Sequence, residues 1–280
     1  MLKIIETPRD AMQGIKEFIP TQQKVEFINA LFRVGYEAID VGSFVSPKAI
    51  PQLADTAEVL QQIDIAESKT KVMVTVGSLH GAERAMEFEM IDQIAFPYSM
   101  SASFLKLNIN SNPIKVMKTV VGMLNLCAKH HKELVLYNAM AFGNAYGDDW
   151  SAELVVKDTE ILKKEGANNV ILSDTIAVGT PTSIGKTFEL VIKEFPDMEI
   201  GAHLHTTPDD WHENVKAAWD MGCRRFDVAI HGRGGCPMSK RKMVGNLDTL
   251  NLIQFLKDHN IKTGFDNNAF KEALQKVVPR

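Results

Sequence analysis

The sequence predicts an α/β protein, a single (β/α)8 TIM barrel spanning residues 1–280. Three observations point to it. Short β-rich runs alternate with longer helical patterns, the alternation repeats eight times, and no linker, low-complexity tract or charge block interrupts it. The strand candidates, in order, are KIIET (3–7), EAIDVGSF (37–44), KVMVTVG (71–77), QIAFPYS (93–99), ELVLYNAMAF (133–142), NVILSDT (169–175), EIGAHLHT (199–206) and RFDVAIHG (225–232). Between them lie segments with apolar residues at helical spacing, such as QQKVEFINALFRVG (22–35) and AELVVKDTEILKKEG (152–166). Gly35, Gly166 and Gly222 follow such segments, where a left-handed cap favours a residue without a Cβ. Helices after about residue 246 are expected to pack on the barrel. A doubly wound open sheet is the alternative, but it usually has fewer units and a phosphate-binding glycine loop after its first strand. Here that strand runs into ETPRDAMQG, with no G-x-G-x-x-G.

Composition narrows the class. At 45% hydrophobic and 24% charged residues, the chain reads as soluble and globular with a substantial core. A net charge of −4 gives no general attraction to nucleic acid or to an anionic membrane. Cys127, Cys223 and Cys236 are few and irregularly spaced, which argues for a reducing compartment over a disulfide framework. Cys127 and Cys223 are expected in helical segments. The strand-like LKIIE comes almost at once, so no targeting peptide is visible, and no apolar run approaches the roughly 20 residues of a membrane span. The expectation is a cytoplasmic protein without nucleic-acid or membrane partners.

Barrel active sites sit at the C-terminal strand ends, and the chemically capable residues fall there. Arg9 and Asp10 follow strand 1, Asp40 and Ser43 end strand 2, Asp174 ends strand 6, and His203 and His205 end strand 7. Alternate strand residues share a face, so both imidazoles would project into the mouth as neutral nitrogen ligands. The bland reading is a hydrogen-bonded surface pair. Asp10 across the barrel adds a hard oxygen ligand. Asn246 offers a second oxygen, or else caps the last helix. A mixed nitrogen and oxygen set with open positions suits Mg2+ or Mn2+, and Zn2+ less well. Arg9 is always charged, so it either stabilises a developing oxyanion or pairs with Asp40 or Asp174. Asp174 either supports the site or caps the helix that Pro181 begins. Cys236 lies in the glycine-rich GRGGCPM, where Arg233 would lower its pKa. Lys240, Arg241 and Lys242 follow as a solvated charge run or as contacts to an anionic substrate.

Taken together, ETPRDAMQG, SFVSPKAIPQLAD, SDTIAVGTP, HLH, GRGGCP and GNL resemble, in order and spacing, the 3-hydroxy-3-methylglutaryl-CoA lyase family of metal-dependent barrels. The resemblance runs over essentially the whole chain. It implies that Asp10, His203, His205 and Asn246 bind a divalent cation, and that Arg9 neutralises the enolate of the thioester product. It implies proton transfer by His203, a mobile-loop role for Cys236, and substrate or supporting positions for Gln13, Asp40, Ser43 and Asp174. The implied reaction is a retro-Claisen cleavage of an acyl-CoA substrate to acetyl-CoA and acetoacetate, and the implied assembly is a homodimer through barrel helices. The chain departs from the family pattern in places. PRDAMQGI stands for PRDGLQNE, Asp40 for a glutamate, Thr206 for an acidic residue after H-x-H, Leu107 for a lysine, and the basic MSKRKMV for a small glycine-containing stretch. Related alternatives are a Claisen-type synthase, which generally carries a long C-terminal extension, an aldolase acting on a free hydroxy-oxo acid, and a metal-binding barrel without catalysis.

Overall fold

In the computed structural model, which describes residues 1–235 and 244–278, the eight strand segments pair in parallel and in sequence order into a closed barrel. The strands are β1 (Lys3–Glu6), β2 (Ala38–Ser43), β3 (Lys71–Thr75), β4 (Gln93–Ser99), β5 (Glu133–Ala139), β6 (Asn169–Asp174), β7 (Glu199–Leu204) and β8 (Arg225–Val228), and β8 closes on β1. Around them lie α1 (Pro8–Gln13), α2 (Thr21–Phe32), α3 (Thr56–Gln62), α4 (Leu79–Ala85), α5 (Ala102–Asn108), α6 (Pro113–Lys129), α7 (Ala152–Lys164), α8 (Pro181–Glu194), α9 (Trp211–Asp220), α10 (Thr249–Asp258) and α11 (Asn267–Gln275).

The strands are buried on both faces because helices cover the outside and side chains fill the inside. Along α6, Val116, Val120, Met123 and Cys127 recur at helical spacing and are buried against the sheet. Caps fix several helix ends. At α8 the Thr180 hydroxyl accepts from the Ser183 amide at 3.1 Å while Ser183 Oγ accepts from the Thr180 amide at 2.9 Å, with Pro181 in the first turn. Gly166 (φ 102°) and Gly222 (φ 97°) close α7 and α9 in the left-handed region, as expected from the sequence. The C-terminal helices lie on the barrel's outer layer, α10 against α9 and α11 against α2. Among the described residues no helix is long and apolar enough to cross a membrane.

Inside, the two-residue strand period stacks side chains in layers. A middle layer of Ile5, Ala38, Met73, Ala95, Val135 and Ile171 is apolar and fully buried. Below it, at the N-terminal strand ends, Lys71 reaches Glu133 at 3.1 Å and Glu37 at 3.8 Å, Lys3 pairs with Glu37 and Glu199, and Arg225 meets Glu199 at 2.5 Å. Above it come Asp40, Thr75, Tyr137, His203 and Asp227.

Several strands stop earlier than the sequence suggests. ELVLYNAMAF was expected as strand through 142, but β5 ends at Ala139, because Met140 takes a φ of 65°. RFDVAIHG gives only β8, and its end turns at Ile230–Gly232, where His231 has φ 64°. Arg9 and Asp10 belong to helix α1, begun by Pro8. Cys127 is helical as expected, whereas Cys223 lies in the connection before β8. The expected cap role of Asn246 is also corrected: Asp248 caps α10, accepting from the Leu250 amide at 3.0 Å.

Glu6 ends β1 with 1% exposure and accepts from the Ile230 amide at 2.8 Å and from Thr249 Oγ1 at 2.7 Å, tying β1 to the start of α10. Burial pushes its pKa from 4.5 up to about 8, despite those hydrogen bonds. The folded protein therefore keeps a proton that the unfolded chain has already released between those values. The stabilisation this provides is complete below the unfolded pKa and fades as pH rises through the folded one. Glu6→Gln should flatten the pH dependence of unfolding free energy between about pH 5 and 8, removing a slope of up to about one proton. Denaturant titrations across that range check it, and an unaltered slope counts against the assignment.

Candidate active site

Pro8 starts α1 directly above β1, and one helical turn sets Arg9, Asp10 and Gln13 over the barrel mouth. Arg9, with its side chain 13% exposed, divides its donors between two carboxylates. Its Nε donates to Asp40 Oδ2 at 2.7 Å, and its Nη1 donates to Asp10 Oδ1 at 3.0 Å and to Gln13 Oε1 at 3.1 Å. Asp40 is presented by a register shift in β2 and also accepts from Thr75 Oγ1 at 3.0 Å. Gln13 Nε2 donates to Asp10 Oδ1, and Asn246 Nδ2 donates to Asp10 Oδ2 at 2.5 Å.

Asn246 arrives from the far end of the chain because its segment pairs with the end of β7. The Thr206 amide donates to Gly245 O at 3.0 Å, the Leu247 amide to Leu204 O at 2.8 Å, and His205 and Asn246 form an isolated antiparallel bridge. His203 belongs to β7 and His205 follows its last residue, with ring centroids 5.3 Å apart. The two rings and Asp10 form a buried cluster whose candidate ligand atoms lie within 4.8 Å of one another. Among the described residues, His203 Nδ1, His205 Nδ1 and Asn246 Oδ1 are buried without a hydrogen-bond partner. Unspent buried acceptors are costly, and two imidazoles, a carboxylate and an amide oxygen are the donor types that satisfy a divalent cation.

Electrostatics favour that state. Burial, the largest influence, works against the charge on Asp10, but Arg9, His203, His205 and the Asn246 hydrogen bond together hold the carboxyl below the ordinary range. Burial pushes Asp40 up to about 6 against the pull of Arg9, so it remains ionised at neutral pH. For Arg9, burial alone would lower the pKa, and Asp40 and then Asp10 more than reverse it. Burial and then His203 push His205 down to about 4, leaving its ring neutral at pH 7.

Arg9, Asp10, Gln13, Ser43, His203 and His205 line one cavity of about 320 Å³. Asp40 sits behind Arg9, and Asn246 reaches the cluster through Asp10. Asp174 is not among the residues that line this cavity. Its carboxylate accepts from the amides of Val178 at 3.1 Å and Gly179 at 2.7 Å, which shapes the loop before α8. Since Thr180 caps α8, the helix-cap reading of Asp174 is corrected, and Arg9 pairs with Asp40 rather than with Asp174. Cys236, Lys240, Arg241 and Lys242 lie outside the described residues. Thr75, Tyr137 and Asp227 escaped the sequence reading. The signal was available, because Thr75, Tyr137 and Asp227 stand at inward two-residue steps on strands whose ends were already identified.

A closed parallel barrel with this acid and histidine cluster beside an arginine defines a barrel enzyme with a mouth suited to a divalent cation and an anionic group. The chain matches the HMGL-like family over residues 2–277; it belongs to that family and is a carbon–carbon lyase. It is 33% identical over 273 residues to the cytoplasmic 3-hydroxy-3-methylglutaryl-CoA lyase of Rattus norvegicus, covering 97% of this chain and 79% of the relative. It is 30% identical over 277 residues to the 3-hydroxy-3-isohexenylglutaryl-CoA/hydroxy-methylglutaryl-CoA lyase of Pseudomonas aeruginosa, covering 99% and 91%. The crystal structure of an HMG-CoA lyase from Acinetobacter baumannii with coenzyme A and 3-methylmalate superposes with a TM-score of 0.89 at 29% identity, covering 99% of this chain and 89% of that one.

The cluster's rigidity depends on a close backbone approach. Gly234 has φ 95°, and a Cβ there would meet Asp10 O and Asn246 Nδ2, both at 2.6 Å. Gly234→Ala should therefore lower Tm by about 2–8 °C, from left-handed strain plus displacement of Asn246. Calorimetry checks it, and an unchanged Tm would show that this segment yields without cost.

Proposed function

We propose that this lyase cleaves 3-hydroxy-3-methylglutaryl-CoA, or a close 3-hydroxyacyl-CoA, to acetyl-CoA and acetoacetate, with Asp10, His203, His205 and Asn246 holding Mg2+ or Mn2+. The observation that carries the reading is the buried Asp10, His203 and His205 cluster beside Arg9 in one cavity. The names of the relatives, and the coenzyme A held by a structural neighbour, supply the substrate class.

A bound cation would supply acidity to the substrate's C3 hydroxyl. The chain's own residues account for the rest. Proton removal from that hydroxyl lets the C2–C3 bond break, with C3 becoming the ketone of acetoacetate and the bonding electrons passing to the thioester enolate. Arg9 is oriented for that charge. Its Nε and Nη1 are committed to Asp40, Asp10 and Gln13, whereas Nη2 makes no hydrogen bond to the described residues and is left for the enolate oxygen. In this reading His203 holds the cation and Cys236 is the remaining catalytic residue, and the enolate carbon takes up a proton to give acetyl-CoA. Ser43 and Gln13 border the substrate. Asp40 and Asp174 act from behind, Asp40 by aiming Arg9 and Asp174 by accepting the His205 amide on its carbonyl at 2.9 Å. A larger substituent at C3 is a second reading, favoured by the apolar cavity wall of Ala95, Phe104, Ile109 and Ala139.

The purified protein with Mg2+ or Mn2+ should release acetoacetate from 3-hydroxy-3-methylglutaryl-CoA, and a chelator should stop it. Turnover of only a longer 3-hydroxyacyl-CoA would keep the reaction and change the substrate. Arg9→Gln should cut kcat by about 10²- to 10³-fold while the protein still binds Mn2+. For His205→Ala, calorimetric Mn2+ affinity should fall at least about tenfold; undiminished affinity sinks the ligand assignment.

A further inference from the structure

Asp227 stands on β8 in register with His203 on β7. Its side chain is fully buried inside the barrel, with Oδ2 3.5 Å from His203 Nδ1 and Oδ1 3.8 Å from Arg225 Nε. Among the described residues, both Asp227 oxygens, His203 Nδ1 and Arg225 Nε are buried without a hydrogen bond of ordinary length. Groups that burial penalises when unpaired thus face one another along the barrel axis.

Charge matching shows which of them Asp227 serves. At the barrel floor three cations, Lys3, Lys71 and Arg225, pair with three carboxylates, Glu37, Glu133 and Glu199. These three against three are already neutral, so Asp227, which also attracts Arg225, adds a negative charge beyond that set. Arg225 is further tied by Nη1 to Asn169 Oδ1 at 3.2 Å. Its stem occupies the barrel interior because residue 201 is glycine; a Cβ there would lie 2.9 Å from Arg225 Cγ and Cδ. Asp227 is therefore a carboxylate beyond that balance, and besides Arg225 Nε and the Tyr137 hydroxyl it faces the imidazole of His203, where Oδ2 lies 3.5 Å from Nδ1. The Tyr137 ring packs edge-on to that imidazole at 5.6 Å and 85°, which limits its rotation.

We propose that Asp227 is a positioning residue for His203. Its carboxylate accepts a hydrogen bond from His203 Nδ1–H, fixes the ring plane, and makes Nε2 the nitrogen presented to Asp10 and His205. An N–H···O bond is about 2.9 Å long, so a small turn of the ring completes the contact. Carboxylates behind ligating histidines act in this way, setting tautomer and basicity together. The inference rests on the ligand role proposed for His203, but it makes a claim about the metal-free protein as well.

The test is nitrogen NMR of histidine-labelled, metal-free protein at about pH 8, where a free imidazole is neutral, with the His203 signals identified by their loss in His203→Asn. The expected result is a proton on Nδ1; a proton held on Nε2 overturns the proposal. In Asp227→Asn the tautomer preference should be lost, Mn2+ affinity should fall about 10- to 100-fold, and kcat should fall while KM for the acyl-CoA stays within about twofold. Asp227→Glu should recover part of the affinity. A folded Asp227→Asn protein with the wild-type tautomer and wild-type Mn2+ affinity overturns it too. Should Asp227→Asn fail to fold, the wild-type tautomer alone decides. A protein inactive on the proposed substrate but with the Nδ1 proton in place would discard the substrate and keep the role of Asp227.

Discussion

One guanidinium shared between two buried carboxylates organises the mouth of this barrel. Arg9 takes its direction from Asp40 and gives direction to Asp10. Asp10 then anchors Asn246, and the segment carrying Asn246 pairs with the end of β7, which carries the two histidines. Each step fixes the next, so residues 236 positions apart are held by a chain of directed polar contacts. A lysine could not replace the arginine, because a single ammonium on a flexible stem cannot serve both carboxylates in fixed planar directions. Burial makes this arrangement costly to assemble and costly to half-remove. Taking away either carboxylate would leave Arg9 with an unbalanced share of charge in a poorly solvated place.

The layers below explain why charge can be concentrated there. The floor of the barrel is a ring of opposite charges that neutralise one another; the lysine pairs lie near water, where each contributes little alone, while Arg225 is buried. The apolar waist from Ile5 to Ile171 then separates floor from mouth. Its low polarizability strengthens every charge interaction above it. Two groups of β8 span the waist, Arg225 from below and Asp227 two residues above it, and the glycine at 201 on β7 leaves room for the Arg225 stem. The mouth is thus electrostatically connected to the floor through one column of side chains.

Much of this was legible in the sequence. Eight strand and helix alternations carry the barrel, and a two-residue period carries the histidine pair to one face, because strand geometry admits no other placement. What the sequence left open lies where the backbone departs from regular periods. Arg9 and Asp10 read as loop residues, because a six-residue helix started by proline has too few turns to show a pattern. Asp174 read as a mouth residue by its place at a strand end. The turn after β6 instead supplied several free amides, and a carboxylate satisfies those more cheaply than an empty cavity. Asn246 read as a cation ligand or, because asparagine favours caps, as the cap of the last helix; the helix in fact begins two residues beyond Leu247, and Asp248 takes that place. Asp227 was hidden by the hydrophobic look of RFDVAIHG, in which a charge at an inward step is the informative residue.

The distribution of unsatisfied buried atoms gives the last link between fold and chemistry. Asp40 Oδ1, His203 Nδ1, His205 Nδ1, Asn246 Oδ1 and both oxygens of Asp227 lie in the upper layer or just above it. The apolar side chains of the waist have no polar atom to leave unpaired, but at the floor Gln93 Oε1 and Arg225 Nε and Nη2 are also unpaired among the described residues. A fold selected for stability alone would replace these groups with apolar side chains of similar volume, which is often neutral or stabilising. Retention of the groups at the mouth means that some folding free energy is withheld there and recovered when ligands complete the hydrogen bonds and coordination. Stability and catalysis are thereby divided along one axis: the floor and waist hold the barrel closed, and the mouth stays incomplete until it binds.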